Sequence, residues 1–314
     1  MRKSIEDMLR RLPYLRQLVV ERDELMAYRT WVPPGHFYSP LPSIEEIRNN
    51  EDLIFVKGAA NLAGVNINET RQLSTLASFQ KYSLELPFQA LANDRQRYYY
   101  ENGYFSYLDA IILYCMMREI QPKRIIEIGS GFSSCVMLDT NELYFDDSIV
   151  CTFVEPYPER LYSLIRESDR NKVTILKNKI QDVDRARFTD LEAGDILFID
   201  SSHVSKIESD VNYILFEILP SLRNGVYIHF HDIFYPFEYP KEWIYGGVAW
   251  NEAYLLRAFL QYNTAFTIQF FNSFMKSFFK DQLTAALPMS VKDPDPDIEI
   301  KNAPAGSLWL VKER

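Results

Sequence analysis

From residue 124 onward, short apolar runs rich in β-branched residues alternate with longer segments whose apolar positions recur every three or four residues. The first run, Arg124 to Ile128, lies between Pro122 and a glycine turn and predicts a buried parallel strand, which is typically apolar on both faces. Further strands are predicted at Ser148 to Val154, Lys172 to Leu176, Ile196 to Ile199, Val226 to Phe230, Ala265 to Phe271 and Ser307 to Val311. Between them, helical spacing follows Gly131 and starts again near Pro158. It recurs over Ser205 to Leu219, with Ile207, Val211, Ile214, Leu215 and Ile218 inward, and over about Asn251 to Tyr262. Strands alternating with helices predict a parallel sheet covered on both faces.

The first hundred residues read differently. Ile5 to Arg29 carries apolar residues at helical spacing, with Pro13 as the start or a kink, and could cover the core or form a dimer surface. Trp31 to Pro42 mixes prolines with aromatics, as either a lid beside the chemistry or a connector packed on the core. Ser43 with Glu46 forms a capping box, so a short helix follows. Helices are also predicted over Asn68 to Ser83 and Leu108 to Ile120. The tyrosine-rich stretch from Arg95 to Tyr107 between them offers rings for ligand contact or for packing. The expected division is a helical cap or substrate region over residues 1–95 and a cofactor-binding domain over residues 96–314.

Composition narrows the partners. A formal charge of -9 argues against a nucleic-acid backbone, whose binding needs clustered Lys and Arg, and leaves a small molecule or glycan as the substrate. Cys115, Cys135 and Cys151 have neither paired nor metal-type spacing, and the N-terminus has no long apolar stretch. A reducing, cytoplasmic setting without a membrane span is the expectation.

In an open parallel sheet, ligands sit at the carboxyl ends of the strands. There this sequence places Glu127 with Gly129, Ser130, Gly131, Ser133 and Ser134; then Glu155; then Gln181 and Asp182; then Asp200 to His203; then His231 and Asp232. Gly129 and Gly131 permit a tight turn, and Ser133 and Ser134 bring hydroxyls to a helix N-terminus, together a cradle for a nucleotide-like ligand. Glu155 suits ribose hydroxyls in either a nicotinamide dinucleotide or S-adenosylmethionine (SAM). Glu127 favours SAM, since it meets a cationic amino group but repels a pyrophosphate. Ser134 favours it too, standing where the dinucleotide fingerprint has glycine or alanine.

From Tyr98 onward the chain resembles the class I SAM-dependent methyltransferases. Within them, Glu-Ile-Gly-Ser-Gly-Phe-Ser-Ser, Phe-Ile-Asp-Ser-Ser-His and His-Phe-His-Asp-Ile resemble a bacterial branch with sugar and natural-product O-methyltransferases. The resemblance implies an α/β, Rossmann-like, doubly wound, seven-stranded and mostly parallel sheet with an antiparallel C-terminal strand, preceded here by a helical N-terminal region. It also implies roles: Glu127, Gly129, Ser130 and Gly131 on the methionine part, Glu155 on the ribose, Gln181 and Asp182 on the adenine edge. Asp200 and Asp232 fit the divalent-cation ligands of some relatives, and His203 fits their general base. His231 stands where those relatives have an acid, which turns the expectation from magnesium toward a softer metal or none. An ordinary imidazole pKa of about 6.5 suits a base near neutrality. A NAD-dependent oxidoreductase and a non-catalytic cofactor-binding protein of a biosynthetic assembly stay open as alternatives.

Overall fold

The computed structural model describes residues 17–22, 31–55, 62–293, 295 and 304–314. The chain forms two compact units, residues 1–56 and 57–314. In the smaller one, residues 17–22 are helical, and the rest of the Ile5 to Arg29 helix lies outside the described residues. The proline-rich stretch has no regular structure. Trp31 stacks on Tyr38 with ring centroids 5.3 Å apart, and His36 stacks on Phe37 at 4.2 Å. Ser43 Oγ accepts the Glu46 N–H at 3.2 Å and caps the helix Ile44–Asn49, as its sequence position requires.

The larger unit is built on a seven-stranded sheet of order β3-β2-β1-β4-β5-β7-β6. The strands are β1 (Arg124–Ile128), β2 (Val150–Val154), β3 (Thr174–Leu176), β4 (Ile196–Ile199), β5 (Tyr227–Phe230), β6 (Phe266–Phe271) and β7 (Leu308–Lys312). The first five are mutually parallel, and β7 runs antiparallel to both β5 and β6. Strand order reverses between β1 and β4, so the chain leaves their carboxyl ends in opposite directions and opens a crevice there.

Helices α1 (Glu69–Phe79), α2 (Tyr107–Ile120), α3 (Phe132–Phe145), α4 (Glu159–Leu164) and α5 (Glu252–Leu260) surround the sheet. Every residue of α2 from Tyr107 to Met117 is buried, so this helix is core on all sides, not amphipathic. Its one buried acid, Asp109, accepts from Asn272 Nδ2 at 2.6 Å and from the Gly306 and Ser307 N–H groups at 3.1 Å, which ties α2 to the start of β7. Arg97 joins the tyrosine-rich stretch to the same layer through Asp139 of α3 at 2.7 Å and Asp169 at 2.6 Å.

Two expectations need correction. The helix expected from Ser205 begins at Asp210, and Ile207, expected inward, is 92 % exposed. Local polar bonds hold the preceding residues in a loop: Asp210 accepts from the Ser202 N–H at 2.8 Å, and Ser209 Oγ caps the helix by accepting from the Asn212 N–H. After β6, the helices Asn272–Phe278 and Lys280–Ala286, which the spacing did not predict, bury Phe274, Met275 and Leu283. All three cysteines are free and buried. Among the described residues no helix is long and apolar enough to cross a membrane.

Candidate active site

The crevice is built around a backbone contact. Gly129 has φ +79°, and a Cβ placed on it would lie 1.8 Å from the Asp200 carbonyl oxygen, so only glycine fits this turn. The Asp200 N–H in turn donates to the Ile128 carbonyl at 2.8 Å. The end of β1 is thereby fixed against the end of β4, which sets Asp200 beside the glycine turn. The Gly131 N–H donates to Ser134 Oγ at 3.1 Å, turning the chain into α3.

Beneath this turn Glu127 is fully buried. Ser133 Oγ donates to its carboxylate at 2.6 Å and Ser134 Oγ donates to the other oxygen. Burial pushes its pKa up to about 8, against the pull of both hydroxyls. Glu127 is thus engaged by the first turn of α3 and is not among the residues that line the crevice.

A stability prediction follows from the sign of that shift. Between the ordinary value of 4.5 and about 8, folded Glu127 holds a proton that the unfolded chain lacks. Its contribution is thus most favourable below the unfolded value and falls by about 1.4 kcal/mol per pH unit across the window. Glu127→Gln should remove this slope. In urea melts at pH 6 and pH 8 the variant should gain roughly 2 to 3 kcal/mol relative to the wild type over those two units. A constant difference between the two proteins would mean that the acid is ionised in the fold.

The crevice holds about 1280 Å³ and is lined by Ser130, Gly131 and Ser133 from the turn, by Tyr99, Tyr104 and Phe132, by Asp200 to His203, by His231 and Asp232, and by Trp243, Val248 and Trp250. Of the residues singled out in the sequence, Gly129 and Ser134 support the turn from outside the lining. Glu155 stands beside it, accepting the N–H groups of Ser130 at 3.1 Å and Tyr157 at 2.8 Å. Gln181 and Asp182 are not among the lining residues. Gln181 Nε2 donates to the Glu208 carbonyl at 2.6 Å and Asp182 is exposed, so the geometry gives the adenine assignment no support. The tyrosines divide between the two readings: Tyr98, Tyr100 and Tyr107 are core, while Tyr99 and Tyr104 pack on Phe132 at the crevice wall.

At the centre lies His203, 5 % exposed and held at φ +58°. Its Nδ1 is 2.8 Å from Glu252 Oε2; its Nε2 is 3.3 Å from Asp200 Oδ1 and 3.6 Å from Asp232 Oδ2. Burial works against a charged ring, but the bonds to Asp200 and Glu252 outweigh it and hold the His203 pKa well above the ordinary histidine value. Burial likewise opposes ionisation of Asp200, yet His231 and His203 keep its pKa below the usual carboxylate value, whereas burial pushes Asp232 up to about 6. Asp200, His231 and Asp232 each offer a ligand atom, all within 4.8 Å of one another. His229, two residues before His231, is absorbed into the core, stacked on Phe198 with Nε2 2.8 Å from Ser307 Oγ.

Sequence reasoning missed Glu252, Trp243 and Trp250. Each lies far along the chain from the motifs; Trp243 and Trp250 line the crevice, and Glu252 reaches the site only through His203, and an acid at a helix start carries no local mark of a site.

Residues 126–233 match the family model of a methyltransferase domain. A protein of Archaeoglobus fulgidus described as uncharacterized is 37 % identical over 163 residues, covering 51 % of this chain and 73 % of its own. Among solved structures, the O-methyltransferase TomG from Streptomyces achromogenes, involved in tomaymycin synthesis and in complex with SAM, matches with 13 % identity over 86 % of this chain and 96 % of its own, at a TM-score of 0.41. The SAH-bound methyltransferase PaMTH1 of Podospora anserina matches with 15 % identity over 73 % and 92 %, at a TM-score of 0.40.

Proposed function

We propose that this chain, whose residues 126–233 match a methyltransferase domain, is a class I SAM-dependent methyltransferase that transfers a methyl group from SAM to a hydroxyl of a small molecule, sugar or glycan, with His203 as the general base. The observation that carries this reading is the position of His203 Nε2, facing the crevice between Asp200 and Asp232 and close to the turn of Ser130 and Gly131. The acceptor hydroxyl gives its proton to Nε2 as its oxygen attacks the methyl carbon. The carbon–sulfur bond breaks, and the sulfonium becomes the neutral thioether of S-adenosylhomocysteine. Tyr99, Tyr104 and Phe132 form an aromatic wall beside the glycine turn for the donor to pack against. Glu155, oriented by two backbone N–H groups, takes the ribose hydroxyls.

The donor set also fits a divalent cation. Asp232 Oδ1 and His231 Nδ1 are buried without a hydrogen-bond partner, and the two carboxylates and one imidazole suit a borderline metal better than magnesium. A cation held by Asp200, His231 and Asp232 would supply Lewis-acid polarisation and offset the charge of those carboxylates.

Calorimetry tests the reading. S-adenosylhomocysteine should bind, and NAD should give no heat. Binding of NAD with no response to S-adenosylhomocysteine would transfer the chain to the oxidoreductases.

A further inference from the structure

We propose that Glu252 is the positioning residue of the site, fixing His203 as the Nδ1–H tautomer with Nε2 directed into the crevice. The inference rests on the methyl-transfer reading above and adds a residue that neither the motifs nor the family match reaches, since Glu252 lies beyond residue 233.

Glu252 is 1 % exposed, and Oε2 meets His203 Nδ1 at 2.8 Å, while Oε1 is buried with no partner. A carboxylate taken out of water costs several kcal/mol unless a partner recovers it. A side chain that served only the N-terminus of α5 would reach the same helix-end stabilisation from solvent. The neighbours of Glu252 are organised around the same histidine. The N–H groups of Asn251 and Glu252 both donate to the His203 carbonyl, at 3.1 and 3.2 Å. Trp250 packs against the imidazole with centroids 4.3 Å apart. Asn251 Oδ1 accepts the Ser205 N–H at 2.6 Å, closing the loop after His203. Residues 250–252 thus grip the backbone, the ring face and one ring nitrogen of a residue in the sparsely populated left-handed region. All three carboxylates around the ring can only accept, but Glu252 is the nearest, at 2.8 Å against 3.3 and 3.6 Å on the Nε2 side, so the neutral ring keeps its hydrogen on Nδ1 and leaves the Nε2 lone pair for a substrate proton.

The experiment compares Glu252→Gln and Glu252→Ala with the wild type in two ways. Long-range proton–nitrogen NMR of the neutral ring at alkaline pH reads the His203 tautomer, and steady-state methyl transfer separates kcat from KM. Glu252→Ala should lose the preference for Nδ1–H and lower kcat by about 10- to 100-fold, with KM and affinity for S-adenosylhomocysteine nearly unchanged. Glu252→Gln, whose amide oxygen still accepts from Nδ1, should keep the tautomer and fall between the two; it also serves if the alanine variant does not fold. An unaltered tautomer in Glu252→Ala, or the loss of tautomer preference in the glutamine variant as well, overturns the proposal. A wild type that transfers no methyl group would sink the reaction reading alone, because the tautomer comparison still decides what Glu252 does.

Discussion

Replacing His203 by alanine should lower turnover by about 100- to 10,000-fold, the usual range for a positioned general base. Affinity for S-adenosylhomocysteine should stay nearly intact. The two effects separate because His203 meets the crevice through a single ring nitrogen, whereas the proposed cradle for the donor is the Ser130 and Gly131 turn with Glu155 beside it. The wild type should also gain activity as pH rises past neutrality. Asp200 and Glu252 hold the ring's pKa up, and a base must first be free of its proton. A methyl-transfer assay run across pH with calorimetry on the variant checks both parts. Near-normal turnover by His203→Ala would remove the residue from the mechanism.

Replacing Arg97 by methionine should cost about 3 to 5 kcal/mol in urea melts, the range for breaking a buried ion pair on one side. The guanidinium makes a two-pronged bond to Asp169 at 2.6 and 2.7 Å, and reaches Asp139 at 2.7 Å and Glu142 at 2.6 Å. Asp139 and Asp169 each keep only 2 % of their side-chain surface exposed, so neither can turn to water once Arg97 is gone. Asp139 also accepts the N–H groups of Arg97 and Tyr98, which anchors the stretch leading to Tyr99 and the crevice wall. Lysine should not rescue the loss, because a single ammonium cannot serve two carboxylates in the fork geometry of arginine. A variant as stable as the wild type would show that the two acids neutralise themselves by taking up protons.

Much of this was legible along the chain, for reasons that differ by residue. The strands announce themselves because a sheet buried on both faces needs continuous apolar runs, and their polar terminal residues, Asp200, His203, His231 and Asp232, meet because parallel strands bring their ends to one edge. Ile207 misled because helical spacing continued through residues that Asp210 and Ser209 hold in a loop. Glu127 was half legible: its place before the glycine turn can be read in the sequence, but its bonds to Ser133 and Ser134 exist only once the first helical turn brings those hydroxyls onto it. Glu252 had no local signal at all, since its meaning depends on a histidine that only the tertiary fold brings near.

The position of β7 bears on how this protein folds. Residues 308–312 insert between β5 and β6, so β6 has no partner in the sheet until they arrive. Because β5 ends at Phe230 and its neighbour β7 begins at Leu308, the pairing that joins β6 to the sheet closes a long loop of chain, and such non-local pairings come late in folding.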